Sequence, residues 1–216
     1  MSLDFMFFEL GKGFITTVEI FILTLLFSLP LGLLISFGRM SKHFILRLIT
    51  KFYISVMRGT PLMLQLIVVY FGPYYIFGAQ LGRSYRFAAV IIAFSLNYAA
   101  YFAEIYRSGI ESMPIGQYEA AKVLGYTKVQ TFLKIILPQV IKRILPAITN
   151  ETITLVKDTS LAFVLSIVEM FTTAKQIAAS ETTIMPLMVA GLFYYIFNLV
   201  VALGMEQIEK KLNYYR

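Results

Sequence analysis

Two carboxylates stand out in the mostly apolar region that follows residue 137. Glu151 has no Lys or Arg three or four positions away, and Asp158 lies seven residues on, near the same face of a helix. An unpaired charge at the centre of a bilayer costs at least about 2.5–3.5 kcal/mol, so such a group needs a partner. We expect these acids either to meet a polar solute or to join a buried network between helices.

Five further side chains in this region and in the preceding uncharged stretch 87–103 can donate or accept hydrogen bonds. They are Asn97, Tyr98, Tyr101, Asn150 and Thr154. Together with Glu151 and Asp158 they form the candidate site. The same residue types also join helices inside membrane proteins, so both interpretations remain open at this point.

The composition excludes most soluble folds and most catalytic sites. Of the 216 residues, 58% are hydrophobic and 14% are charged, against about 25% charged in an ordinary soluble domain. The chain has no Cys and one His, which excludes disulfides, thiolate metal sites and a His cluster for zinc. We therefore expect a membrane protein, for which an intramembrane enzyme is the weaker alternative.

Apolar stretches of about 20 residues, the length that spans a bilayer, recur along the chain. They predict one all-α, polytopic transmembrane domain over 1–216 with five transmembrane helices, at about 13–38, 53–78, 86–107, 139–158 with a polar continuation to about 174, and 184–208.

Most Lys and Arg residues lie in 39–58, 107–143 and 210–216. The positive-inside rule places these segments in the cytoplasm, so the N-terminus is expected outside and the C-terminus inside. The net charge of +7 then reflects topology, and we expect no nucleic-acid partner. Glu19 and Glu169 are expected near the outer surface, in contact with water.

The longest polar segment between predicted spans, about 112–135, has the pattern of two short helices. Pro114 and Gly116 interrupt the preceding helix, and a new one is expected from Gln117. Gly125 permits a turn before a second helical stretch, 128–137. We call residues 112–135 the coupling segment, for the reason given next.

The coupling segment contains Glu119-Ala120-Ala121, then Gly125 after three residues, Ile135 after nine more, and Leu137-Pro138 after one more. This spacing resembles the EAA loop of membrane subunits of binding-protein-dependent ATP-binding cassette (ABC) importers. Three other stretches resemble the polar amino acid permeases, a group that includes histidine, arginine and glutamine systems. They are Met57-Arg58-Gly59-Thr60-Pro61-Leu62 with Gln65, Tyr101-Phe102-Ala103-Glu104-Ile105-Tyr106-Arg107, and Lys157-Asp158-Thr159-Ser160-Leu161.

The resemblance implies the type I ABC importer fold in a bacterial or archaeal inner membrane. It also implies a second membrane subunit (the same chain or a paralogue), a cytoplasmic ATPase dimer and an extracytoplasmic amino acid-binding protein. The chain has no Gly-x-x-x-x-Gly-Lys-Ser/Thr stretch, so ATP and Mg are expected in the ATPase, and no cofactor in this chain.

The resemblance also assigns ATPase docking to Glu119, Ala120, Ala121 and Gly125. Glu119 would pair with a basic group of the ATPase, and the alternative is that it only complements the helix dipole. Ala120 and Ala121 would let a partner approach closely, and the alternative is helix propensity alone. Gly125 is expected to turn the chain between the two helices.

In this setting, the candidate site of Glu151, Asp158 and the five hydrogen-bonding residues is expected to prefer basic amino acids such as arginine, lysine or histidine. A buried network between helices remains the alternative for these residues. For the whole chain, the alternative function is a channel or secondary transporter that works without an ATPase. The coupling segment argues against that alternative, because a stand-alone carrier has no evident use for a docking helix pair.

Overall fold

The structure, a computed structural model, describes residues 3–79 and 81–212, and every regular element in this part of the chain is helical. The α-helices are α1 (Leu3–Arg39), α2 (Phe44–Gly59), α3 (Leu62–Phe77), α4 (Tyr85–Glu111), α5 (Ile115–Val123), α6 (Lys128–Thr131), α7 (Leu137–Asp158), α8 (Met170–Ser180) and α9 (Met185–Leu212). A π-turn, Phe132–Ile136, leads into α7, and a 3-10 helix, Thr159–Leu165, follows it.

Three helices are long and apolar enough to cross a membrane by length and composition. They are α1, α4 and α9, and the bent pair of α2 and α3 forms a fourth candidate. The predicted span 139–158 corresponds to α7, which carries five charged residues among its 22 and does not meet the same criterion. The number of five transmembrane helices therefore stays a prediction.

The predicted span 53–78 is a bent pair of helices rather than one continuous helix. The axes of α2 and α3 differ by 113° across Thr60 and Pro61. Proline has no amide hydrogen, and it disfavours helical backbone in the residue before it. Thr60 is accordingly extended, at φ −121° and ψ 147°. The apolar composition of residues 53–78 predicted a span but not the break within it.

Helix α4 lies at the centre of the molecule and packs along α1. Phe94, Tyr98 and Phe102 on α4 are fully buried. Gly32 of α1 sits so close to α4 that an added Cβ would lie 2.9 Å from the Cβ of Phe102. Small residues of this kind let helix backbones approach closely in membrane proteins. The position of α4 places Ser95, Asn97 and Tyr98 in the interior.

Glu169 is the N-cap residue that precedes α8, and its predicted solvated position is wrong. Glu169 is fully buried, and its carboxylate accepts hydrogen bonds of 2.7 Å from the amides of Phe171 and Thr172. The Tyr194 hydroxyl on α9 donates a third, of 3.0 Å. An acidic N-cap satisfies free amides at a helix start and complements its dipole, which allows this charge to lie away from water.

Candidate functional site

One face of α7 carries the carboxylates that the sequence singled out. Glu151, Thr154 and Asp158 follow one another at helical spacing. The Tyr98 hydroxyl of α4 donates a 2.7 Å hydrogen bond to Oδ2 of Asp158. Tyr98 is 2% exposed and its ring lies 6.2 Å from that of Tyr101. This hydrogen bond joins one candidate residue of α4 to one of α7.

Arg58 also belongs to this cluster, and the sequence analysis missed it. Its guanidinium carbon lies 5.2 Å from the centre of the Tyr101 ring, within cation–π range. It also interacts electrostatically with Glu151. The positive-inside rule counted Arg58 with the cytoplasmic residues. The signal that could have placed it here is Pro61, three residues on, which ends α2 inside the predicted span.

Asn97 lies in a hydrogen-bond network between helices, the interpretation that was left open beside substrate binding. It is 5% exposed, and its Nδ2 donates 3.0 Å hydrogen bonds to the Met57 carbonyl and to Oε1 of Gln65. Gln65 in turn donates to the carbonyls of Met57 and Thr60. These carbonyls lie at the end of α2, where Pro61 removes the donor of a regular helix. Asn97 and Gln65 therefore stabilise the break between α2 and α3.

The two remaining candidates lie beside Glu151 on α7. The Thr154 hydroxyl donates to the main-chain carbonyl of Asn150 at 3.0 Å. Asn150 itself is exposed in the single chain. The compact part of the cluster consists of Tyr98, Tyr101, Glu151 and Asp158, joined by Arg58. It offers two carboxylates and one guanidinium, the groups that pair with the charged ends of an amino acid.

The coupling segment presents Glu119 to solvent. Helix α5 begins at Ile115, two residues earlier than predicted, so Glu119 is its fifth residue and lies beyond the first turn. The helix-dipole interpretation of Glu119 loses its basis, since that effect is confined to the first turn. In the described part of the chain, Glu119 has no hydrogen bond and no ion pair. Its carboxylate is free to meet a partner.

The turn between α5 and α6 is made by Gly125. Its φ of 81° is in the left-handed region, which glycine adopts without strain. Ala120 is exposed, as docking requires, but Ala121 is 1% exposed and packs inside the chain. The small side chain of Ala121 serves internal packing in this structure, because its place in α5 faces the chain's own interior.

A groove of about 690 Å³ runs along the same surface. It is lined by Tyr118, Glu119, Lys122, Tyr126, Thr127, Lys128, Thr131 and Phe132. Thr127 and Gln130 form a capping box that fixes the start of α6. The groove combines aromatic rings with charges of both signs, a mixture suited to a protein partner.

The described residues contain no group of three or more His, Cys, Asp or Glu side chains arranged to hold a metal ion. Charged and hydrogen-bonding side chains gather at the two places described above, the cluster between α4 and α7 and the exposed surface of the coupling segment.

Comparison with known proteins gives full-length matches. The arginine transport system permease protein ArtQ of Bacillus subtilis (strain 168) is 39% identical over 203 residues, 94% of this chain and 91% of that protein. A putative glutamine transport system permease protein GlnP of Rickettsia conorii is 36% identical over 207 residues, 95% of this chain and 93% of that protein.

Solved structures agree with these matches. An amino acid ABC transporter crystallised with histidines aligns with a TM-score of 0.85 at 31% identity, over 98% of this chain and 100% of that one. The methionine ABC transporter MetNI, at 19% identity and a TM-score of 0.70, shares the fold. The model of the family described as "Binding-protein-dependent transport system inner membrane component" matches residues 28–214. The chain therefore belongs to this family of inner membrane components of binding-protein-dependent transport systems.

Proposed function

We propose that this chain is the permease subunit of an ATP-driven importer of polar amino acids, and that basic amino acids are its preferred substrates. The observation that carries the proposal is the 39% identity over 94% of the chain to a protein named as an arginine permease. The helical fold supports it, because the chain aligns from end to end with a subunit of an amino acid ABC transporter.

Coupling to an ATPase dimer is assigned to the exposed surface of the coupling segment. Glu119 is unpaired there, Ala120 is exposed, and Gly125 sets the angle between α5 and α6. The EAA spacing and the groove beside Glu119 support docking of a cytoplasmic partner at this surface. ATP and Mg are bound by that partner. A second membrane subunit, which is this chain or a paralogue, and an extracytoplasmic amino acid-binding protein complete the complex.

Substrate recognition is assigned to the cluster between α4 and α7. Glu151 and Asp158 would attract the ammonium and the cationic side chain of a basic amino acid, and Arg58 would attract its carboxylate. Tyr98, Tyr101, Asn150 and Thr154 would supply hydrogen bonds. Asn97 supports this site from the side, by stabilising the break that positions Arg58.

Orientation follows from charge. The basic segments 39–58, 107–143 and 210–216 would face the cytoplasm, which places the N-terminus outside. In this orientation the coupling segment faces the compartment that contains ATP. Arg216 lies outside the described residues, and it is counted in the segment 210–216 from the sequence alone.

The test is reconstitution in vesicles with the partner ATPase and binding protein, followed by uptake measurements on a panel of amino acids. We expect ATP-dependent uptake that is highest for arginine, lysine or histidine. Uptake that proceeds without ATP and without the ATPase would support the channel or secondary transporter instead.

A further inference from the structure

Two glutamine side chains join the coupling segment to the helix that carries the substrate candidates. Nε2 of Gln117, on α5, donates to Oε1 of Gln139 on α7 at 2.9 Å. Nε2 of Gln139 donates back to Oε1 of Gln117, also at 2.9 Å. These two reciprocal hydrogen bonds between side-chain amides fix both the separation and the relative orientation of the two helices, because hydrogen bonds are directional. An apolar contact does not constrain the orientation in this way.

Gln139 makes a third hydrogen bond, to the π-turn that precedes α7. Its Nε2 donates at 2.7 Å to the carbonyl of Ile135, inside the π-turn Phe132–Ile136. Pro138, two residues after the end of the π-turn, provides no amide hydrogen to that turn. π-turns widen a helix locally and occur frequently at functional sites. The amide of Gln139 thus connects α5 to the irregular turn at the base of α7.

The rest of α5 has little contact with the remainder of the chain. Its residues are exposed apart from Ala121 and the partly buried Gln117. The hydrogen bonds between α5 and α7 include the reciprocal pair of Gln117 and Gln139. Glu151 lies twelve residues beyond Gln139 on the same helix, about 18 Å along its axis at 1.5 Å per residue.

We propose that Gln117 and Gln139 are positioning residues that transmit movement of α5 to α7, and through α7 to the cluster around Glu151. This inference rests on the proposed function, because it assumes that an ATPase moves α5. When α5 is displaced, the reciprocal amide pair pulls on the base of α7, and the π-turn accommodates the change. Without the pair, the ATPase can still bind the groove, but its movement reaches α7 less completely.

The test uses the full complex with its ATPase and binding protein, and measures amino acid taken up per ATP hydrolysed. We expect Gln117→Leu and Gln139→Leu each to lower this ratio about fivefold to tenfold, with the ATPase still co-purifying. The double variant should be no worse than either single one, since residues that share one interaction are not additive. Gln117→Glu combined with Gln139→Lys should recover at least half of the ratio. Gln176→Leu, at an exposed position on α8, is the matched control.

An unchanged ratio in both single variants would overturn the role of the pair, as would additive losses with no recovery in the Glu–Lys combination. If a leucine variant fails to fold, the combination of Gln117→Glu with Gln139→Lys still tests the role of the pair, because it replaces one polar contact with another. If wild-type complexes couple uptake to ATP while the variants match them, only this inference fails. If no ATPase co-purifies with the wild-type chain, the proposed function itself fails.

Discussion

The coupling segment and the cluster between α4 and α7 differ in how far their side chains are buried and hydrogen-bonded within the chain. In the coupling segment, Glu119 has no described partner, and Val123 and Leu124 are 87% and 73% exposed. In the cluster, Tyr98 is buried and bonded to Asp158. Exposed apolar side chains next to an unpaired carboxylate indicate a surface that another protein covers. A buried and paired network indicates groups held in place for a substrate or for each other.

This difference predicts separate consequences for substitutions in the two regions. Changes in the coupling segment should affect association with the ATPase and leave substrate preference unaltered. Changes in the cluster should affect uptake according to the charge of the substrate and leave the ATPase bound. The following substitutions test that separation, in order of decreasing expected effect.

The largest effect is expected for Gly125→Val. A β-branched residue at φ 81° is strained, at a cost of roughly 1–2 kcal/mol or more, so the turn between α5 and α6 must change. We expect ATPase co-purification and uptake to fall at least about tenfold, since 1.4 kcal/mol corresponds to a factor of ten. Gly116→Ala is the control, because Gly116 has open space around it and no positive φ. Wild-type uptake by Gly125→Val would contradict the docking role of the turn.

The next effect is expected for Glu151→Gln, which removes a negative charge without changing shape. Arginine uptake should fall about fivefold to tenfold, or about 1–1.4 kcal/mol, which is within the net contribution of one intramolecular hydrogen bond, while glutamine uptake changes less. The ATPase should co-purify as before. Glu206→Gln, an exposed residue paired with Lys210, controls for loss of charge alone. Unchanged arginine uptake would remove Glu151 from the substrate site.

A smaller effect on uptake, together with a loss of stability, is expected for Tyr98→Phe, which leaves Asp158 without its 2.7 Å donor. Loss of one partner of a buried polar pair costs about 1–3 kcal/mol. We expect the unfolding midpoint of the purified subunit to fall by several degrees, at about 2–4 °C per kcal/mol for a chain of this size. Tyr195→Phe, at an exposed position on α9, should shift it by less than about 1 °C. Equal midpoints for the two variants would show that the bond to Asp158 does not stabilise the fold.

The smallest effect is expected for Glu119→Gln. An exposed carboxylate paired with a basic group of the ATPase contributes little, so affinity for the ATPase should fall about twofold to fivefold. Added salt should reduce the difference from the wild type, because it screens exposed charges. A loss that is independent of salt would show that Glu119 does not act through its charge.

The helical class, the positions of the long apolar helices and the turn at Gly125 could be predicted, because they depend on local composition and on one residue with special backbone freedom. The EAA spacing predicted the coupling segment from residues that lie close together in sequence, and its docking role stays a prediction. Ala121 was assigned to the partner because spacing identifies a motif but not which way a side chain faces.

The roles of Arg58, Asn97 and Glu169 could not be predicted, because each depends on contacts between residues far apart in the chain. Arg58 contacts Tyr101 because α2 ends at Gly59, inside the predicted span. Asn97 of α4 bonds to Gln65 beside the break between α2 and α3. Glu169 is buried since Tyr194 of α9 and the start of α8 satisfy its charge together. Charge counts along a sequence do not distinguish a solvated acid from a capped one.

Co-purification from membranes in mild detergent tests the central claim most directly. If the chain is the permease subunit of an ATP-driven importer, a P-loop ATPase should accompany the wild-type chain and the Glu151→Gln variant, and it should be lost from Gly125→Val. A wild-type chain that transports amino acids in vesicles and brings down no ATPase would contradict the account.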